Sequence, residues 1–84
     1  MNKAMFVKNF SDFMIQNVPV FDGVKSFVYV NDGDNEWVYI NFNTYSQKRI
    51  NVNYDSEIAI IKDVLKNYED APWIVPIDED IFNK

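Results

Sequence analysis

The sequence predicts a two-layer α+β domain, a three-stranded antiparallel meander packed by two helices in the order α-β-β-β-α, with a short C-terminal tail. Three observations predict it. Apolar residues recur at three- and four-residue spacing in two segments, three stretches of strict alternation lie between those segments, and turn-forming clusters separate each stretch from the next. With 84 residues, 48% hydrophobic and 17% aromatic, residues 1–84 form a single acidic domain rather than a disordered chain.

The first helix is expected over Lys3 to Asn17, where Phe6, Val7, Phe10, Phe13 and Met14 share one face and Lys8, Asn9, Asp12 and Gln16 the other. Asn17 before Val18-Pro19 stops it. Val24 to Asn31 alternates, with Val28 and Val30 on one side and Phe27 and Tyr29 on the other. Asn31-Asp32-Gly33-Asp34-Asn35 then supplies a hairpin turn.

Glu36 to Asn43 sets Val38, Ile40 and Phe42 against Trp37, Tyr39, Asn41 and Asn43. Lys48 to Tyr54 sets Ile50, Val52 and Tyr54 against Arg49, Asn51 and Asn53. Asp55-Ser56 forms an N-cap for a second helix, Glu57 suits its positive dipole end, and Ile58, Ile61, Val64, Leu65 and Tyr68 make its apolar stripe as far as about Asp70. After an extended Ala71 to Pro76, Ile77, Ile81 and Phe82 share one face of a final helical turn.

This pattern puts the aliphatic residues with Phe42 and Tyr54 beneath both helices, and leaves Phe27, Tyr29, Trp37 and Tyr39 as cross-strand neighbours on the other face. Either the tail covers that face through Trp73, Ile74, Val75 and Phe82, or a partner or a second copy does.

The chain has no cysteine and no histidine, so disulfides, thiolate nucleophiles, Cys/His zinc sites and imidazole catalysis are excluded. Two isolated glycines build neither a phosphate loop nor a dinucleotide fingerprint. The Asp32-Gly33-Asp34 segment lacks calcium-loop spacing, because glycine follows the first aspartate at once and the twelfth position is Asn43. Carboxylates clustered in turns and in the last third read as solvated faces rather than a catalytic pair. The expectation is a non-enzymatic protein with no cofactor and no metal. No run approaches the ~18 apolar residues of a membrane span, and charges interrupt the N-terminal apolar stretch, so the expected location is cytoplasmic. Codon-biased usage, rich in Asn, Ile, Lys, Phe and Tyr, fits a low-GC bacterial or phage genome.

Net charge is -5, and residues 55–84 hold eight acids against three lysines. Direct nucleic-acid binding is therefore not expected, since phosphate recognition needs basic side chains. An acidic surface suits a basic protein surface instead. The helix, the hairpin tip from Tyr29 to Val38, the third strand and the following helix together resemble, over about residues 5–70, the layout of small phage-encoded anti-CRISPR proteins that block the DNA-binding groove of Cas9 by mimicking DNA. The resemblance implies an inhibitor whose contacts are Asp32, Asp34 and Glu36 with the acids of the second helix and tail, Glu69, Asp70, Asp78, Glu79 and Asp80. The alternative is a small assembly subunit that homodimerises through the aromatic face of Phe27, Tyr29, Trp37 and Tyr39.

Overall fold

The computed structural model describes residues 2–74, and within them the chain is an α+β domain. Helix α1 spans Lys3–Asn17, strand β1 Val24–Asn31, β2 Glu36–Phe42, β3 Gln47–Asn51, helix α2 Glu57–Asn67, and a two-residue strand β4 Trp73–Ile74. The sheet is antiparallel throughout in the order β1-β2-β3-β4, so the expected three-stranded meander gains a fourth strand at the β3 edge. The expected tail turn through Ile77, Ile81 and Phe82, and the acids Asp78, Glu79 and Asp80, lie outside the described residues.

Both helices begin where a side chain can satisfy their orphan amides. Asn2 accepts from the Met5 amide and Ser56 from the Ala59 amide. Between Pro19 and Phe21 the chain makes a 3-10 turn that drives Phe21 fully into the core. There it anchors a continuous run of rings. Phe10 meets Phe27 at 5.6 Å between centroids, Phe27 meets Phe21 at 5.2 Å, and Phe21 meets Tyr68 edge-on at 4.7 Å. Tyr68 then stacks on Phe42, and Phe42 meets Trp73 at a tilt, 4.9 Å between centroids. Edge-on and tilted contacts of this kind bind helix to sheet beyond simple area burial, by about 0.5–1.5 kcal/mol each.

The facing of β1 is the main correction to the sequence reading. Val24 pairs with Phe42, but Ser26 pairs with Asn41, so Lys25 is a bulge that turns the rest of the strand over. Phe27 opposite Ile40 and Tyr29 opposite Val38 therefore lie on the core face, while Val28 opposite Tyr39 and Val30 opposite Trp37 face outward. Phe27 is buried and its amide donates to Ser11 Oγ at 2.9 Å, which ties α1 to the free edge of the sheet.

Two smaller expectations also change, for Tyr54 and for the apolar faces of the helices, and Lys48, which the sequence reading left unplaced, takes a side. Strand β3 ends at Asn51, and Tyr54 adopts φ 62° and is 94% exposed, not part of the core. Lys48, opposite Ile40, points to the helix side and is buried. On α2 the buried positions are Ile60 and Val64, with Ile61 and Tyr68 half-buried, whereas Ile58 and Leu65 are exposed; on α1, Phe13 is exposed as well. The two helices close one core with Val7, Phe10, Phe21, Val38, Ile40 and Val52.

Candidate functional site

With both helices on one side, the other side of the sheet carries the partner-binding candidates. Trp37 and Tyr39 are there as the sequence predicts, joined by Val28 and Val30 rather than by Phe27 and Tyr29. Val28 is 43% and Val30 36% exposed, and no described element lies over them. Arg49 stacks its guanidinium on Trp37, 3.9 Å from the ring centroid, and reaches the Tyr39 hydroxyl at 3.4 Å. Toward the other end the face turns polar. There Gln47 donates to Asn41 at 2.7 Å, and Asn41 donates to Ser26 at 3.2 Å. Trp73 does not fold over this face; it pairs with Lys48 and packs on Phe42 on the helix side.

The hairpin tip is held by its own side chains. Asn31 Oδ1 accepts from the Gly33 amide, Asp32 Oδ1 accepts from the Asp34 and Asn35 amides, and Gly33 takes φ 98°. Those two amide donors hold the Asp32 carboxyl below the usual carboxylate range, with the Trp37 indole and Arg49 adding to the effect. Asp32 and Asp34 are exposed.

Glu36 is different. It accepts from Lys3 Nζ at 2.7 Å, Tyr29 Oη at 2.6 Å and the Tyr54 amide at 3.1 Å, and the Lys3 bond above all pulls its carboxyl down to about 2. Its lone pairs are used inside the fold, where it clasps α1, β1 and the β3–α2 turn together. Burial in turn pushes the Tyr29 hydroxyl above its ordinary value. Sequence reasoning missed this because nothing in a hairpin-tip acid announces a lysine 33 positions away.

Glu69 and Asp70 follow α2 and are exposed. The carbonyls of Tyr68 and Glu69 each accept from Lys48 Nζ at 3.2 Å, and the same ammonium lies 4.7 Å from the Trp73 ring centroid and 5.5 Å from that of Tyr68. Lys48 thus caps the C-terminal end of α2 from across the sheet. A pattern of alternating strand residues could have flagged it, since Lys48 shares parity with Ile50 and Val52.

Concavities are shallow. A groove of about 370 Å³ runs between the Ala4, Lys8, Ser11 face of α1 and β1. Among the described residues no three Asp or Glu side chains converge as a metal site would require, and no helix is long and apolar enough to cross a membrane. Compared with known proteins, the chain matches no family model, no curated protein and no solved structure.

Proposed function

We propose that this chain is a non-enzymatic, acidic protein-binding module whose contact surface is the outer sheet face together with the hairpin tip. One observation carries the reading: Val30 pairs with Trp37 next to the tip that bears Asp32 and Asp34, and Arg49 stacks on Trp37, so the exposed acids adjoin the outward apolar residues on one surface. A surface with Trp37, Tyr39, Val28 and Val30 at its centre and Asp32 and Asp34 at its rim has the composition of a binding patch, with aromatic anchors inside and charge outside. With a net charge of -5, the partner it fits is a basic protein, and the phosphate-binding groove of a nucleic-acid-handling protein is the natural class. An inhibitor carried by a phage or mobile element is one such role.

The test is capture from a host lysate with the full chain, a D32N/D34N variant and a Trp37→Ala variant as baits. A protein retained by the wild type, displaced by duplex DNA and lost from both variants supports the reading. Capture that is equal with all three baits would overturn it.

The exposed valines favour a second reading, in which two copies pair through the same face. Sedimentation distinguishes the two. A dimer that Trp37→Ala converts to a folded monomer supports self-assembly, and a wild-type monomer at high concentration removes it.

A further inference from the structure

The seam where the β3–α2 turn meets the start of α1 gathers charged side chains from four parts of the chain: Lys3 of α1, Glu36 of β2, Asp55 of the turn and Asp63 of α2. Glu36 is fully partnered by Lys3, Tyr29 and the Tyr54 amide. Asp55 is not. Its Oδ2 is sealed from solvent and meets no hydrogen-bond donor among the described residues, while the Asp63 carboxyl lies within hydrogen-bonding reach. Two carboxylates can make that bond only if one of them holds a proton.

We propose that Asp55 and Asp63 form a proton-operated latch, in which a shared proton fastens the β3–α2 turn to α2 and loss of the proton releases it.

The neighbourhood explains why the proton is held. Burial first, and then the Asp63 carboxyl, push Asp55 up to about 6; Glu36 adds to the effect and Lys3 opposes it. Lys3 cannot cancel the second charge, because its ammonium is committed to Glu36 at 2.7 Å. The folded chain therefore binds a proton more tightly than an ordinary aspartate does. The latch contributes fully below the ordinary carboxylate range and is lost as pH rises through about 6.

What the latch holds is tied to the sheet by Glu36 at the Tyr54 amide and by Asn53, and the Asp55 side chain is its link to Asp63 of α2. Tyr54 sits in the left-handed region and is almost wholly exposed, and the Asp55 amide bonds back only to the Val52 carbonyl at 3.1 Å. The same turn braces the hairpin tip, because Asn53 donates to Asn35 at 2.9 Å and accepts from the Glu36 amide. Release would thus extend to the base of the acidic tip.

A carboxyl-carbon NMR titration of the full chain tests this, together with amide exchange at pH 5 and pH 7.5. One carboxyl of the pair should titrate near 6 rather than at the ordinary ~3.9, and protection of amides 53–60, corrected for intrinsic pH dependence, should fall at least ~3-fold from the lower to the higher pH. Asp55→Asn, which keeps a donor facing Asp63, should hold the low-pH protection at pH 7.5. Titration of both carboxyls at the ordinary value would overturn the proposal on the wild-type chain alone, whether or not the variant folds. So would protection that is the same at both pH values.

Discussion

Arg49 lies flat over Trp37, its guanidinium carbon 3.9 Å from the ring centroid, on the one sheet face that neither helix touches. A cation over an indole at a solvent-exposed site is worth about 0.5–1 kcal/mol. Arg49→Ala should therefore lower the unfolding free energy measured in urea by that modest amount. In a Trp73→Phe background it should also shift Trp37 emission to the red as the ring loses its cover. An unchanged emission maximum would show that the stack does not persist in solution.

Phe21 should be the costliest single truncation in the chain. Its ring is buried and bridges Phe27 at 5.2 Å and Tyr68 at 4.7 Å, so Phe21→Ala removes the link between α1, the sheet and α2. Aromatic-to-alanine changes in cores cost about 3–5 kcal/mol, which is most of the stability of a domain this small. The variant should be largely unfolded at 37 °C by far-ultraviolet circular dichroism.

Lys48→Met keeps the apolar stem but leaves the Tyr68 and Glu69 carbonyls without their ammonium and strips the cation from the Trp73 face. Charge-assisted hydrogen bonds contribute roughly 1.5–3 kcal/mol and their loss is partly offset by no longer burying the charge. The expected result is a net loss of about 1 kcal/mol, concentrated at the end of α2. Hydrogen exchange should quicken for residues 66–71 and for β4 while the β1–β2 ladder is unchanged.

Glu36 makes the fold sensitive to strong acid. Its carboxyl is depressed to about 2, below its unfolded value, so its contribution is present above the ordinary carboxylate range and disappears as pH falls from about 4 toward 2. The Asp55 effect runs the other way, because its raised value stabilises the chain as pH falls from about 7 toward 4. Thermal stability should peak between about pH 4 and 5, and Glu36→Gln should flatten the acid limb and, by removing a neighbouring charge and freeing Lys3, also weaken the rise from about pH 7 toward 4.

Element order and type were legible in the sequence because each periodic stretch is bounded by its own punctuation: Pro19, Gly33, the Thr44–Ser46 turn and Ser56. Facing was not. Both sides of β1 are apolar, so alternation alone cannot say which pair, Phe27 with Tyr29 or Val28 with Val30, is inside, and the bulge at Lys25 leaves no mark on composition. The phase of α2 failed for the same reason, since Ile58, Ile60 and Ile61 give two overlapping stripes and only contact with the sheet selects Ile60 and Val64. For the candidate site, Trp37, Tyr39, Asp32 and Asp34 could be placed from local pattern. The internal duty of Glu36 could not, because it depends on three partners from distant segments.

The bulge at Lys25 acts like a reading frame for sides. Pairing that residue in regular register, with no bulge, would present Phe27 and Tyr29 to the outside in place of Val28 and Val30, whereas deleting it would leave Ser26 opposite Asn41 and both rings inside. What resists the shift is not the strand but its ring neighbours, because Phe27 would have to leave its places against Phe10 and Phe21. One skipped pairing therefore separates two different exteriors for one sequence, and the aromatic contacts of the opposite layer decide which of them the chain wears.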